Sequence, residues 1–411
     1  MSERLKKIFL FLGFLAVTAL IGFGLYYLFF RTAPTPTEEL PPEINAPAGA
    51  GLPEAGIGAP TPVPTDKKPT EPLLPPGVSR VADGGVTLTT QVVDVPTVGA
   101  SLSESGSLNY YNRVDGKFYR MLPDGTMESL SSKVFYNVDK ATFDPVGNKA
   151  IIEYPDGSNI LYDFASSEQV TLPRHWEEFN FSGAGDKIVA KSIGIDQSNR
   201  FLIVANPDGS GARAVQDLGN NADKVQVAWW PNNQIVATAT TGESFGVDSK
   251  EVYLIGQNHE NFKSMVVEGL NFEPKWAPGG QQMVYSVSGE LSDYKPSLWI
   301  VDAQGDDIGK NRRSLNIDTW ADKCTFADDN TLYCAVPDPD QMVRGAGLQP
   351  DVVADVPDTL YKIDLSTGLQ TKVAIPEGSH SIESLMLTPD GKNMYFTDKG
   401  SGIINKIELA P

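Results

Sequence analysis

Seven times in this chain an apolar residue closes a short run of β-formers, a tight turn follows, and a second apolar run begins. Trp276 opens WAPGGQQMVYSV, Phe143 opens FDPVGNKAIIEY, Phe181 opens FSGAGDKIVAKS and Trp229 opens WWPNNQIVATAT; Phe326 opens FADDNTLYCAV, Leu387 opens LTPDGKNMYFTD, and a degenerate copy starts at Leu102 in LSESGSLNYYN. Successive anchors lie 41, 38, 48, 47, 50 and 61 residues apart. A unit of that length cannot bury its apolar face alone, so the copies must stack on one another, and the spacing is close to the ~40 to 50 residues of a propeller blade.

Each anchored pair of strands is followed by a third, as in GKFYRMLPDG, NILYDFAS, RFLIVANPDG, EVYLIGQN, SLWIVDAQGD and TLYKIDLSTG, and then by a fourth, as in GARAVQDL and LQTKVAIP. No amphipathic helical period of useful length interrupts the series. The expected fold is therefore all-β, a β-propeller of four-stranded blades, a ring that leaves no long sheet edge exposed. The last copy stops after GIINKIEL without a fourth strand, while VTLTTQVV, Val86 to Val93, precedes the first copy and can supply it. That match favours seven blades over six or eight.

The repeats resemble TolB-like and WD-repeat-like β-propellers, whose motif is Trp-Ser-Pro-Asp-Gly followed by a strand. Leu387-Thr388-Pro389-Asp390-Gly391, Trp276-Ala277-Pro278-Gly279-Gly280 and Phe143-Asp144-Pro145-Val146-Gly147 each keep part of it, and LIVANPDGSG at Leu202 looks like the third strand and its turn. Phe181 and Phe326 lack the Pro. The resemblance covers roughly Val86 to Pro411 and implies a fold more than an activity, because such propellers serve as scaffolds, receptors and enzyme accessory domains alike. The Asp-Gly pairs are turn residues first: Asp bonds to nearby backbone and Gly permits positive φ. A calcium role for Asp124, Asp156, Asp208 and Asp390 lacks the Asp-x-Asp-x-Asp-Gly loop and distal Glu that such a site uses.

Ahead of the repeats, Ile8 to Phe30 contains no charge, enough to cross a hydrocarbon layer of roughly 30 Å as a helix, with Arg4, Lys6 and Lys7 before it. The basic flank predicts a single-pass membrane protein with its N-terminus in the cytoplasm and its bulk outside, as an uncleaved anchor rather than a cleaved signal. Thr32 to Val78 then holds 13 of the 30 prolines and no apolar period, the composition of an extended tether. The expected layout is a cytoplasmic N-terminus at 1–7, a transmembrane helix at 8–30, a Pro-rich disordered linker at 31–84 and the propeller at 85–411. Residues 1–31 carry +3 of a chain total of −19, which leaves −22 for the rest and argues against nucleic acid as a partner.

Catalytic signatures are scarce. His175, His259 and His380 match no metal spacing, there is no nucleophile elbow or phosphate loop, and no cofactor is implied. Cys324 and Cys334 fall opposite each other if the turn at Asp329 closes a hairpin with a three-residue loop; they could form a disulfide or remain two buried thiols. Loop lengths are more informative. The turns between first and second strands are short, whereas second-to-third connections lengthen in SIGIDQSN, TTGESFGVDSK, VSGELSDYKP and the 337–358 segment.

Variable loops on a rigid scaffold are where recognition resides, so the candidate binding residues are His175, Trp176, Asp248, Asp293, Trp320, Asp338, Asp340, Arg344 and His380, all expected on one face. The competing reading packs the Trp residues between blades and leaves the loops as spacers. The functional expectation is a non-catalytic module that binds a protein or a cell-envelope polymer. Its alternative is a propeller enzyme, a glycosidase or lyase or a quinoprotein-like dehydrogenase, with carboxylates at the channel mouth.

Overall fold

The computed structural model describes residues 18, 20, 23, 74–241, 244, 246 and 248–410. The chain divides into two compact units, Met1–Thr70 and Glu71–Pro411. The expected span at 8–30 and most of the linker lie outside the described residues, apart from Thr18, Leu20 and Phe23, which are helical and exposed. Among the described residues no helix is long and apolar enough to cross a membrane.

Seven sheets follow one another along the second unit, each built on antiparallel strands taken in chain order, with pieces from ahead of the first blade added to the last two. Their first strands are Thr97–Leu102, Lys140–Phe143, Trp176–Phe181, Val225–Val227, Leu270–Trp276, Cys324–Asp328 and Ile382–Leu387. First strands of neighbouring blades touch at five of the seven junctions, and Leu270–Trp276 meets the Ala321–Lys323 turn of the sixth blade, so the first strands line the axis; Thr97–Leu102 meets both Lys140–Phe143 and Ile382–Leu387, which closes the ring. The molecule is a seven-bladed β-propeller, as the anchor count and the missing last strand predict.

The recurring sequence has a recurring cause. After the anchors, the backbone N–H of Gly147, Gly185, Gly280 and Gly391 donates to the carbonyl three residues back, at 2.8–2.9 Å, closing a tight turn that ends in positive φ. In the fourth blade Asn233 takes the glycine's place at φ 61, with the same bond to the Trp230 carbonyl. Asp124, Asp156 and Asp208 sit in the turns after third strands or between second and third, and each accepts from the backbone N–H two residues on, at 2.9–3.0 Å. These bonds hold the Asp124 and Asp156 carboxyls below the usual range.

Burial lies between blades. Seven apolar clusters each combine residues of two neighbours: Phe118 with Phe143, Ile151 with Phe181, Leu202 with Val225, Trp230 with Phe272, Val284 with Leu332, Ala335 with Phe396, and Tyr110 with Tyr395. One cluster per interface means that no blade has a core of its own. Trp276 stacks on the fully buried Trp230 of the preceding blade, ring centroids 4.9 Å apart, so the aromatic anchor is an inter-blade packing residue.

Closure uses more of the N-terminal segment than a single strand. Thr90–Val93 pairs antiparallel with the final strand Ile404–Leu409, as expected for the missing fourth strand. Val86–Thr87 instead pairs parallel with Gln370–Pro376 of the sixth blade. Val81–Ala82, ahead of the expected domain start at 85, pairs parallel with Glu408 and Leu409. The final strand is thus covered along its outer edge by two separate pieces of the same segment.

Cys324 and Cys334 face each other across the first two strands of the sixth blade and are joined by a disulfide. The loop between those strands has two residues, Asp329 and Asn330, and a bulge between Phe326 and Asp328 restores the opposition that a three-residue loop would have given.

Candidate binding face and axial cleft

Strand alternation places the second-to-third connections and the inter-blade connections on one face. The loops of adjacent blades there are bonded to one another. Asp248 of the fourth blade accepts from the Glu290 backbone N–H at 3.0 Å, and the Tyr294 hydroxyl lies 3.4 Å from its other oxygen. In the next connection, Gly345 and Gly347 donate to the Asp293 and Tyr294 carbonyls at 2.9 Å. Lys399 of the seventh blade reaches to 3.7 Å from Asp351. The longest connection also carries a small core of its own, in which Trp320 packs against Met342, Ala346, Val353 and Val356; this burial offsets the entropy of ordering so long a loop.

This face presents apolar surface. Of the exposed large apolar residues on loops, Val114, Tyr136, Ile195, Leu291, Val343, Leu348 and Val352 lie here, against Val146 and Leu369 on the opposite side. Leu291 and Ile195 are fully exposed, although each belongs to a loop ordered by hydrogen bonds. Beside Leu291 a groove of 650 Å³ is lined by Asp248, Glu268, Glu290, Asp293, Lys295 and Asp318 among others. Arg312 pairs with Glu268 at 2.6 Å, yet the groove stays rich in acid. Burial raises the Asp318 carboxyl, with Lys295 opposing.

The residues singled out from sequence divide between surface and core. His175, Asp293, Asp340 and Arg344 are exposed, and Asp248 and Asp338 half-buried. Asp248 and Asp293 meet in the groove. Trp176 is buried between the second and third blades, and Trp320 is buried beneath the long loop, which is the packing reading for both rings. His380 is half-buried, its Nδ1 3.1 Å from Asp398 and its Nε2 3.1 Å from the Glu377 carbonyl.

A second concavity was not legible from sequence. Where the fifth, sixth and seventh blades meet, a cleft of 150 Å³ is lined by Glu273, Trp320, Asp322, Lys323, Pro350, Val353, Ala354, Ser381, Ile382, Glu383 and Lys399. Glu273 and Lys275 alternate with Phe272, which packs against the fourth blade, so period two turns them to the opposite face of the strand, toward the sixth blade. That alternation, NFEPKW, was the available signal.

The Glu273 carboxyl is pushed up to about 7, first by burial and then by the negative charge of Asp322; the Ser286 hydroxyl, donating at 3.4 Å, only partly offsets this. Asp322 is raised by lost hydration against the pull of Lys275. Lys275, whose ammonium donates to the Cys324 carbonyl, is lowered by the same loss. Lys323 lies 2.8 and 3.0 Å from the two oxygens of Asp358. Burial outweighs that pairing and raises the Asp358 carboxyl, which also accepts from the Ile382 backbone N–H at 2.6 Å. Chemically the cleft offers a protonatable carboxyl at neutral pH beside a second carboxyl. Among the described residues no group of three or more His, Cys, Asp or Glu side chains is arranged to hold a metal ion.

The sequence matches no protein family model, and no curated protein matches it. Solved structures do match in fold. An oligogalacturonate lyase from Vibrio parahaemolyticus is 11% identical with a TM-score of 0.54, covering 78% of this chain and 93% of that one. An oligogalacturonate lyase in complex with manganese is 13% identical with a TM-score of 0.53 and the same coverage. The β-propeller domain of Myceliophteria thermophila Cps50 (Swd1) is 10% identical with a TM-score of 0.52, covering 78% of this chain and all of that domain. At such identities the likeness is one of architecture.

Proposed function

We propose that this protein is a non-catalytic recognition module that docks a partner protein on its loop-rich face. The observation that carries the reading is the gathering of exposed apolar side chains, Leu291, Val343, Leu348 and Val352, on connections that are hydrogen-bonded from blade to blade. Exposed apolar side chains on ordered loops mark interaction surfaces, and the acidic groove beside Leu291 suits a partner whose surface is basic as well as apolar. The Trp-x-Pro-x-Gly type turns favour the TolB-like class of propeller. The uncharged stretch at 8–30 and its basic flank favour a membrane tether with the propeller outside the cytoplasm, and a disulfide at Cys324 and Cys334 suits that compartment.

Photo-crosslinking in intact cells tests the docking reading. A photoreactive residue at Leu291 or Val352 should yield one common protein adduct, and one at Leu369 on the opposite face should not. The adduct from the Leu291 position should disappear when Val343, Leu348 and Val352 are changed to Ser. Adducts with a carbohydrate polymer alone, or adducts unchanged by the three substitutions, would sink it.

A second reading rests on Glu273. A carboxyl poised near neutrality beside Asp322 is the arrangement of a general acid with a neighbouring carboxylate, and the lyases named above share the architecture. On that reading, wild-type protein should cleave an acidic or neutral oligosaccharide, and Glu273→Gln should abolish the cleavage.

A further inference from the structure

The geometry points to the cleft between the fifth, sixth and seventh blades as a binding site for one organic cation, a primary ammonium or guanidinium group. The charge balance of its lining is the first reason. Glu273, Asp322 and Glu383 supply three carboxyls against the ammoniums of Lys323 and Lys399. Both ammoniums have carboxylates outside the lining: Asp358 engages Lys323 with both oxygens, and Asp351 lies 3.7 Å from Lys399. Among the described residues no Lys, Arg or His nitrogen lies within ion-pairing distance of Glu273. Lys275, outside the lining, answers Asp322, which leaves Glu273 and Glu383 as the lining carboxyls without an ion-pair partner among the described residues, in a partly desolvated place where an added positive charge gains most.

Ser381 is an independent second reason. It lines the cleft, is only 7% exposed, and its Oγ has no hydrogen-bond partner. Buried polar atoms are nearly always paired, so an orphan in a cavity wall marks a place where a partner is expected. Carboxylates only accept, and a serine oxygen can accept as well. A group bearing several N–H donors and a positive charge meets all of these needs together, whereas a neutral polyol would leave the charge unanswered and an anion would add to it. The size agrees: 150 Å³ admits the end of a basic side chain or a small amine and falls below the ~300 Å³ at which drug-sized pockets begin. Val353 and Trp320 offer apolar walls to its methylene stem.

The cation can arrive free or on a partner's Lys or Arg. The second source rests on the docking reading above, since the cleft opens beside exposed Val352; the first does not. Binding is tested by calorimetric titration of the full-length protein in detergent with n-butylammonium and ethylguanidinium chloride, with sodium galacturonate as the anionic control. At least one cation should bind saturably, in the millimolar range expected for so few atoms. Glu273→Gln should weaken it by about tenfold and Ser381→Ala by severalfold, with Asp208→Asn unchanged, each variant being checked by its thermal melt.

The wild-type protein supplies a further readout, because a cation beside Glu273 must expel its proton. Affinity should fall about tenfold from pH 8 to pH 6, with Asp322, Lys275, Lys323, Asp358, Glu383 and Lys399 as the other charged groups facing the site. No saturable cation binding, equal binding in both cleft variants, or a preference for galacturonate would each overturn the assignment. A Leu-flanked Arg or Lys peptide then separates the sources. Tighter binding than the free amine, lost in Val352→Ser, identifies a partner side chain; equal binding identifies a free amine. Because the crosslinking sites lie on the outer loops, loss of docking with cation binding intact would fault only the docking reading.

Discussion

Two residues show how local chemistry sets both fold and site. Gly280 has a φ of +69, and a Cβ there would lie 2.5 Å from the Trp230 ring nitrogen. Gly280→Ala should therefore combine backbone strain with a clash against the Trp230–Trp276 stack and cost about 2–3 kcal/mol in denaturant melts. Gly391 has a φ of +71 and open space around it, so Gly391→Ala should cost only about 1 kcal/mol; equal losses would show that the stack does not constrain the turn. Glu273 has its carboxyl raised from 4.5 to about 7. The folded state then binds the proton more tightly than the unfolded one, so stability falls as pH rises from 4.5 through about 7 and the deficit persists above that. Glu273→Gln should raise the melting temperature most at pH 8, by up to roughly 3 kcal/mol in stability terms, with the gain fading toward pH 4.5.

Among elements, the disulfide-linked hairpin of the sixth blade gives a clean test. Its cysteines are separated by 10 positions and both are fully buried. Reduction, or Cys324→Ala with Cys334→Ala, should lower stability by about 2–3 kcal/mol from the loop-closure term, while the strand signature in circular dichroism persists. Strands and tight turns were legible in the sequence because each is decided locally, by alternation and by a Pro, Asp or Gly at the required position. The bulge beside Phe326 and the division of Val81 to Val93 between two blades were not, because register is chosen by which neighbour offers an open edge. The binding face was legible from loop length, yet length could not tell that Trp320 would turn inward to hold Met342 and Val353. Glu273, Asp322, Ser381 and Glu383 are scattered over three blades and meet only through the curvature of the ring, a relation that no spacing along the chain encodes.

For the whole molecule, stability is held at seven interfaces of similar kind, so the ring should unfold as one unit only while it is closed. Removing residues 1–73 should leave the melting transition of the propeller unchanged. Extending the truncation through Val93 strips three strands, exposes the outer edges of the sixth and seventh blades and removes Val93 from its cluster. That variant should melt at markedly lower temperature, in a broad transition, and aggregate with time. A sharp, undisplaced melt would mean that the closure contributes little.

The double cover on the final strand also sets an order of events in time. Thr97, just past the closing segment, bonds to the Gly402 carbonyl across a separation of 305 residues, and the pairs formed by Thr90–Val93 span still more. On a ribosome the closing residues emerge about 300 residues ahead of their partner, so six blades can form while the seventh has no strand to receive them. Throughout that interval the nascent chain carries a bare sheet edge at its growing end and an unpaired strand ahead of the first blade. Whatever keeps that edge and that strand from other chains until the final strand is made is part of what this architecture requires of the cell that makes it.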